Sequence, residues 1–412
     1  MPAPENSGES PRTHRRTFGL SGEVAGALRA DYHSRIVEEI CQRGHTLEAG
    51  GMAIRLAREF GFCYGVDRAV DLAYETVERF AGRRVFITAE IIHNPQVNQR
   101  LREMGVRFLA ASPEEGETFD DLRSNDVAIL PAFGVPAEKQ ALLEAKGCVI
   151  VDTTCGSVMR VWKRVEGNAR DGFTSVIHGA FSHEETIATC SRALAAGGQY
   201  IIVRDEAEAA LVCEAIEGRA DPDSFLRLFE AACSPGFDPE RDLRRLGLAN
   251  QTTMLSEQSL NIGRMLREAM LRRYGAEHVE SHFRAFDTVC TATQDRQDAV
   301  AELARTRPDL ILVVGGFNSS NTGHLRRIAA DFAPAFHIDG PDCLISASEI
   351  RHKPSSQTEP AIAREWLPAG PLSIGLTAGA STPNRVTGEV IERLLALRGI
   401  EPPDWMRQGS AE

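Results

Sequence analysis

Short apolar runs bounded by Gly and polar residues alternate along this chain with stretches whose apolar positions recur every three or four residues. The first kind of pattern predicts buried strands and the second predicts amphipathic helices. Strands are predicted at Met52–Leu56, Val85–Thr88 and Val127–Leu130. The helical spacing of Val66, Ala69, Val70, Ala73 and Val77 follows the first of them. His93-Asn94-Pro95 leads into a helix through Met104, and Pro136 opens one through Lys146. The pattern restarts with strands at Cys148–Val151, Phe173–Ile177 and Tyr200–Val203. Their helices carry Val158, Trp162 and Val165, or begin near His183 and Glu257. It restarts again with a helix over Asp295–Arg305, a strand at Leu310–Val314, a helix after Ser319-Ser320-Asn321-Thr322 and a strand at Leu372–Leu376. A last helix carries Val386, Val390 and Leu394.

This alternation predicts an α/β fold of three pseudo-repeated modules. Their expected bounds are 51–150, 151–285 and 286–400, with an N-terminal extension over 1–50 and a tail over 401–412. Residues 1–16 are rich in Pro, Ser, Glu and Arg and read as disordered. A helix is expected around Tyr32–Arg43, and 213–245 reads as an irregular excursion.

Composition narrows the function. The formal charge of -12 argues against broad nucleic-acid binding. No apolar span has the length of a membrane-crossing helix, so no membrane insertion is expected. The N-terminus lacks a charged-then-apolar secretory pattern. A plastid-type leader is weakly supported, since Glu5, Glu9 and Glu23 flank its arginines, and the expected setting is cytoplasmic.

Nine scattered cysteines, an odd number without any CxxC, exclude a compact disulfide scaffold and a zinc ribbon. Three of them share one setting. Cys63 lies in Gly61-Phe62-Cys63-Tyr64-Gly65, Cys155 in Asp152-Thr153-Thr154-Cys155, and Cys290 in Phe286-Asp287-Thr288-Val289-Cys290, each between a strand and a helix. Strand C-termini of open α/β sheets gather ligands, so three such loops facing one cavity would suit a soft metal centre. Each cysteine alone is as readily a small buried apolar residue, which is the expectation for Cys41, Cys148, Cys190 and Cys213; Cys233 and Cys343 are ambiguous.

The chain resembles the 4-hydroxy-3-methylbut-2-enyl diphosphate reductase family, which acts last in the methylerythritol phosphate route to isoprenoids. The segments that carry the resemblance run from Gly61-Phe62-Cys63-Tyr64-Gly65-Val66-Asp67-Arg68-Ala69 through Ile92-His93-Asn94-Pro95, Asp152-Thr153-Thr154-Cys155 and His183-Glu184-Glu185-Thr186. They continue with Gln251-Thr252-Thr253, Ser319-Ser320-Asn321 and Ala378-Gly379-Ala380-Ser381. The resemblance implies a cloverleaf of three α/β domains around a [4Fe-4S] cluster held by Cys63, Cys155 and Cys290. One iron would carry no protein cysteine and would be open to a substrate oxygen. The implied reaction takes two electrons and two protons and gives isopentenyl or dimethylallyl diphosphate and water. Ferredoxin or flavodoxin is the implied electron donor. Gly315-Gly316 lacks the glycine spacing of a dinucleotide site.

The resemblance also sorts the polar residues. Ser319, Ser320, Asn321 and Ser381 stand near expected helix starts, where Ser and Asn are ordinary caps but can equally donate to phosphate. His93 and His183 match diphosphate contacts and are expected to add charge-assisted donors. Glu185 matches the family's essential acid, although alone it reads as a solvated first-turn carboxylate, and its neighbour Glu184 is expected to face elsewhere. Thr252 matches a threonine near the substrate hydroxyl, where it would orient that group or relay a proton. His178, His324 and His337 carry no such match. One departure stands out: Pro131-Ala132-Phe133-Gly134 places Phe133 where many bacterial members have a phosphate-binding histidine. Phe133 and the long N-terminus resemble the plant and cyanobacterial branch. The competing readings are a non-redox [4Fe-4S] dehydratase and a non-catalytic cluster- or anion-binding sensor.

Overall fold

Strands such as Val127–Leu130 and Leu310–Val314 are apolar throughout and buried along their whole length, as parallel strands covered by helices on both faces require. The computed structural model describes residues 13–407 other than 287, 356 and 358. Residues 1–12 of the expected disordered segment, Asp287 before Cys290, and 408–412 of the expected tail lie outside the described residues.

Three separate sheets carry the strands. The first has the order Thr13–His14, Val149–Asp152, Val127–Leu130, Val85–Ile87, Arg107–Phe108, all parallel. The second has the order Phe283–Ala285, Leu246–Asn250, Thr174–His178, Tyr200–Val203, again parallel. The third runs Ala335–Ile338, Leu310–Val314, Leu372–Ala378, Met52–Leu56 in parallel and ends in the antiparallel edge strand Thr46–Ala49. Glu349–His352 and Ala361–Arg364 form an additional hairpin.

The sheets do not follow the expected boundaries. Met52–Leu56, expected to begin the first module, pairs with Leu372–Ala378 of the third sheet. The described part of the 1–50 extension is woven into the body. Thr13–His14 extends the first sheet, and the helix Ser21–Tyr32 packs on Tyr64–Arg79. The helix Arg35–Gln42 packs on Asn384–Leu397. The single helix expected near Tyr32–Arg43 is therefore two, separated at His33–Ser34, where Ser34 caps the second by accepting from Val37 N. The excursion at 213–245 holds the end of the helix Glu206–Ile216 and the short helices Pro222–Leu228 and Pro239–Asp242.

These crossings give each of the three cysteines one structural role. Cys63 follows a strand of the third sheet and caps Tyr64–Arg79, whose Val66, Ala69, Val70 and Ala73 pack with Val85, Ile87 and Ile129 of the first. Cys155 follows a strand of the first sheet and caps Gly156–Arg170, whose Val161 and Val165 pack with Ala249 of the second. Cys290 follows the second sheet and caps Thr291–Arg305, whose Val300 and Ala304 pack with Ile311 and Val313 of the third. Each cysteine is a joint where the chain leaves one sheet and starts a helix on the next. Three such joints close a ring, and the cysteines lie at its centre.

Candidate functional site

Cys63, Cys155 and Cys290 have extended backbone conformations and stand at the N-caps of their helices, with no side-chain capping bond. Their thiols are therefore free to face inward, into a cavity of about 110 Å³ that all three line. Gly65 is what lets them approach. A Cβ on Gly65 would lie 2.5 Å from Cys155 Sγ and 3.9 Å from Cys63 Sγ, so any side chain there would occupy the space between two sulfurs. Cys290 Sγ lies 3.1 Å from Thr293 Oγ1. Burial is the main influence on Cys63 and Cys290 and pushes both thiols up. A nucleophilic cysteine shows the opposite shift. Converging, half-buried thiols instead fit a soft metal group that they ligate as thiolates. The cavity lining contains no fourth cysteine. The other six belong to or pack against the hydrophobic clusters of the three units, Cys148, Cys190, Cys213 and Cys343 as buried members and Cys41 and Cys233 at cluster margins.

Glu185 lines the same cavity from the first turn of Glu184–Ala195 and is 2% exposed. Its Oε1 accepts from Thr252 N at 2.6 Å, and its Oε2 is 2.9 Å from Thr252 Oγ1. Burial outweighs these two bonds and pushes the carboxyl from 4.5 up to about 7, so a proton is available on it near neutrality. Gln251 braces the loop that carries Thr252: its Oε1 accepts from Ala180 N and Thr186 Oγ1, and its Nε2 donates to Thr253 Oγ1. The single-residue expectation of a solvated acid fails because helix Glu184–Ala195 turns this position inward. Glu184 faces an adjoining basin of about 660 Å³ and reaches His93 Nε2 at 3.6 Å.

The remaining candidates surround the mouth. Ser319 caps Ser320–Ala330, accepting from Thr322 N and Thr322 Oγ1. Both bonds use its lone pairs, which leaves its proton to donate. Asn321 Oδ1 accepts from Ala380 N at 2.9 Å, and its Nδ2 is buried without a hydrogen-bond partner among the described residues. His93 Nε2 is likewise buried and unpartnered by a hydrogen bond, while its Nδ1 meets Glu90 at 3.0 Å. Two orphaned donors at one cavity mark a place for an acceptor-rich ligand. Ser320 and Ser381 line the cavity beside them, and Ser381 Oγ donates to His93 O at 3.3 Å.

One expectation changes, and one residue gains a contact. His183 is not a charged donor here: burial and then the neighbouring His93 push it down to about 3, so it is neutral. Its Nδ1 accepts from Glu185 N, which leaves Nε2–H as a neutral donor. Phe133, which cannot bond phosphate, has a different position-dependent role. Its ring stacks on His93 with centroids 4.8 Å apart and planes at 8°.

The charge of -12 is overcome locally. The helices capped by Cys63, Cys155, Cys290, His183 and Ser319 all point their positive N-terminal ends at this cavity. Arg326, Arg327 and Lys353 line the outer basin, which shares His93, His183, Ser319 and Ser320 with the cavity. Sequence reasoning missed Gly65, Thr293 and the basin arginines. Gly65 was visible two residues after Cys63, but its function depends on Cys155, ninety residues on. His178 and His337 are buried and bonded to Ser259 Oγ and Gly315 O, and half-buried His324 meets Thr253 O.

A family model described as LytB protein matches residues 54–395. A 4-hydroxy-3-methylbut-2-enyl diphosphate reductase of Gloeobacter violaceus is 49% identical over 397 residues, covering 95% of this chain and 94% of the relative. A reductase of the same name from a Synechococcus strain is 48% identical over 392 residues, covering 95% and 97%. The solved E-1-hydroxy-2-methyl-but-2-enyl-4-diphosphate reductase of Plasmodium falciparum shares the fold, with a TM-score of 0.60, 21% identity, and coverage of 85% of this chain and 88% of that one.

Proposed function

Because this chain belongs to the LytB protein family, whose curated relatives are 4-hydroxy-3-methylbut-2-enyl diphosphate reductases, we propose how its residues carry out that reduction. The chain is a reductase that removes the hydroxyl of 4-hydroxy-3-methylbut-2-enyl diphosphate with two electrons and two protons, giving isopentenyl or dimethylallyl diphosphate and water. The family uses an iron–sulfur cluster. The observation that carries the mechanism is one cavity in which three converging thiols, a protonatable buried carboxyl and two orphaned donors meet.

Cys63, Cys155 and Cys290 would hold a [4Fe-4S] cluster, which would supply electrons one at a time and a Lewis-acidic iron. The diphosphate is held by His93 Nε2, His183 Nε2, Asn321 Nδ2 and the hydroxyls of Ser319, Ser320 and Ser381, assisted by the N-terminus of Ser320–Ala330. This grip places the hydroxyl-bearing end toward Glu185 and Thr252. Glu185 gives its proton to the departing hydroxyl, which leaves as water, and the carboxylate that forms keeps both bonds to Thr252. Thr252 fixes the direction of that proton and can pass on the second one, which ends on an allylic carbon.

Ferredoxin or flavodoxin is the electron donor in this reading. The setting is the cytoplasm, in keeping with nine free thiols. No helix among the described residues is long and apolar enough to cross a membrane. The test is anaerobic turnover of cluster-loaded protein with reduced viologen and 4-hydroxy-3-methylbut-2-enyl diphosphate. Consumption of two electrons per isoprenyl diphosphate formed supports the reading. Loss of water from the substrate with no reductant consumed would establish the non-redox dehydratase instead.

A further inference from the structure

Arg296 is 5% exposed, yet among the described residues its guanidinium has no carboxylate as a hydrogen-bond partner, and its bonds go to main-chain carbonyls. Nε and Nη2 donate to Gly61 O at 3.2 and 2.8 Å, Nη2 to Phe62 O at 3.0 Å, and Nη1 to Ala292 O at 2.9 Å. A guanidinium keeps its charge at any accessible pH, and burying one without a paired anion is costly. The location of this charge is informative. Arg296 lies six residues after Cys290, on the helix Cys290 caps, and grips the two residues immediately before Cys63. It spans two of the three cysteine joints. Arg68 does the same for another pair: it sits on the helix that Cys63 caps and donates to Thr153 O and Thr154 O, just before Cys155. Arg68 is less buried and also bonds Arg15 O toward the N-terminal strand, so Arg296 is the more enclosed charge.

We infer that Arg296 sets the reduction potential of the group held by the three cysteines. This inference rests on the cluster assignment above. Adding an electron to a thiolate-ligated cluster adds negative charge in a site of low dielectric, and a fixed positive charge beside one ligand stabilises the reduced form. The potential is thereby held higher, within reach of a small protein donor. The guanidinium is anchored on the carbonyls of the two residues that precede Cys63, which fixes its charge beside that ligand's loop. Asp67, in the first turn of the helix that Cys63 caps and with its N–H on Cys63 O at 2.9 Å, brings a negative charge to the same joint that opposes the effect. Arg296 is a positioning residue, acting through the Cys63 loop and through its field.

The test is an EPR-monitored redox titration of anaerobically loaded protein, with iron counted per chain, for wild type, Arg296→Lys, Arg296→Gln and Asp67→Asn. The potential should follow the charge. Arg296→Gln shifts it more negative, Arg296→Lys stays near wild type, and Asp67→Asn shifts it more positive. Loaded Arg296→Lys and Arg296→Gln proteins that move together, or neither moving, would show that Arg296 only clamps the loop. Should Arg296→Gln fail to take up iron, the other two variants decide: a positive shift in Asp67→Asn with Arg296→Lys unmoved supports the inference, and an unmoved Asp67→Asn overturns it. Wild-type protein that binds no cluster would defeat the cysteine assignment itself, an outcome distinct from any of these.

Discussion

Replacing Glu185 by Gln removes one transferable proton and leaves the local bonding intact. The amide oxygen still accepts from Thr252 N, and the new NH2 donates to Thr252 Oγ1, whose hydroxyl rotates to suit. Because shape and hydrogen bonds survive, the loss of rate reports the proton. General acid catalysis is worth roughly 10²- to 10⁴-fold, so kcat should fall by about that factor, or about 3 to 5 kcal/mol of barrier. The wild-type profile follows from a carboxyl pushed up to about 7 by burial: kcat declines as pH rises through 7, where Glu185 loses its proton. Stability falls over the same range. The acid is about 4.5 when unfolded and about 7 when folded, so its favourable contribution is complete below 4.5 and is lost as pH rises through 7. At ~1.4 kcal/mol per tenfold, the buried carboxylate costs about 3 kcal/mol above that range. Glu185→Gln should therefore melt above wild type at pH 8 and alongside it near pH 4.5. Anaerobic single-turnover rates across pH, with matched melting curves, measure both effects. A variant within tenfold of wild type at pH 7, with the same pH profile, would refute the assignment of Glu185 as the acid.

Other substitutions probe the rest of the cavity. Gly65→Ala places a methyl 2.5 Å from Cys155 Sγ without backbone strain, so iron bound per chain should drop sharply while far-UV circular dichroism is unchanged; full iron loading would contradict the packing. Asn321→Asp keeps the acceptor used by Ala380 N but replaces the orphaned donor with an anion. With hydrogen bonds to charged groups worth ~1.5–3 kcal/mol, KM should rise roughly 10- to 150-fold with a smaller change in kcat. Phe133→Ala frees the His93 ring, and loss of an aromatic stack of ~0.5–1.5 kcal/mol should raise KM roughly 2- to 12-fold; an unchanged KM would remove Phe133 from the diphosphate site.

Strands buried on both faces were the easiest elements to find, because apolar character runs unbroken through them. Val127–Leu130, Tyr200–Val203 and Leu310–Val314 have the bounds their sequences suggest. Leu246–Asn250 was missed because its pattern is broken at Gly247, where the side chain of Asn168 packs within 2.4 Å of any added Cβ. Thr13–His14 has only two residues, and the hairpin strands Glu349–His352 and Ala361–Arg364 are interrupted by charged residues, so neither shows an unbroken apolar run. Sheet membership was not legible at all for Met52–Leu56, since its partner Leu372–Ala378 lies over three hundred residues away. At the site, the common strand–loop–helix context made the three cysteines recognisable locally. The low pKa of His183 and the high one of Glu185 were not visible, because both follow from burial by other units. The same holds for Phe133, whose contact with His93 crosses between loops.

Mössbauer spectroscopy of iron-57-loaded protein, prepared anaerobically with and without 4-hydroxy-3-methylbut-2-enyl diphosphate, tests the shared cysteine site most directly. The expected result is one four-iron cluster per chain with a single distinct iron whose signal shifts with substrate. Cys63→Ser, Cys155→Ser and Cys290→Ser should each lose that signal, and Cys148→Ser should keep it. A wild-type chain that takes up no cluster, or full four-iron loading in all three ligand variants, would contradict it.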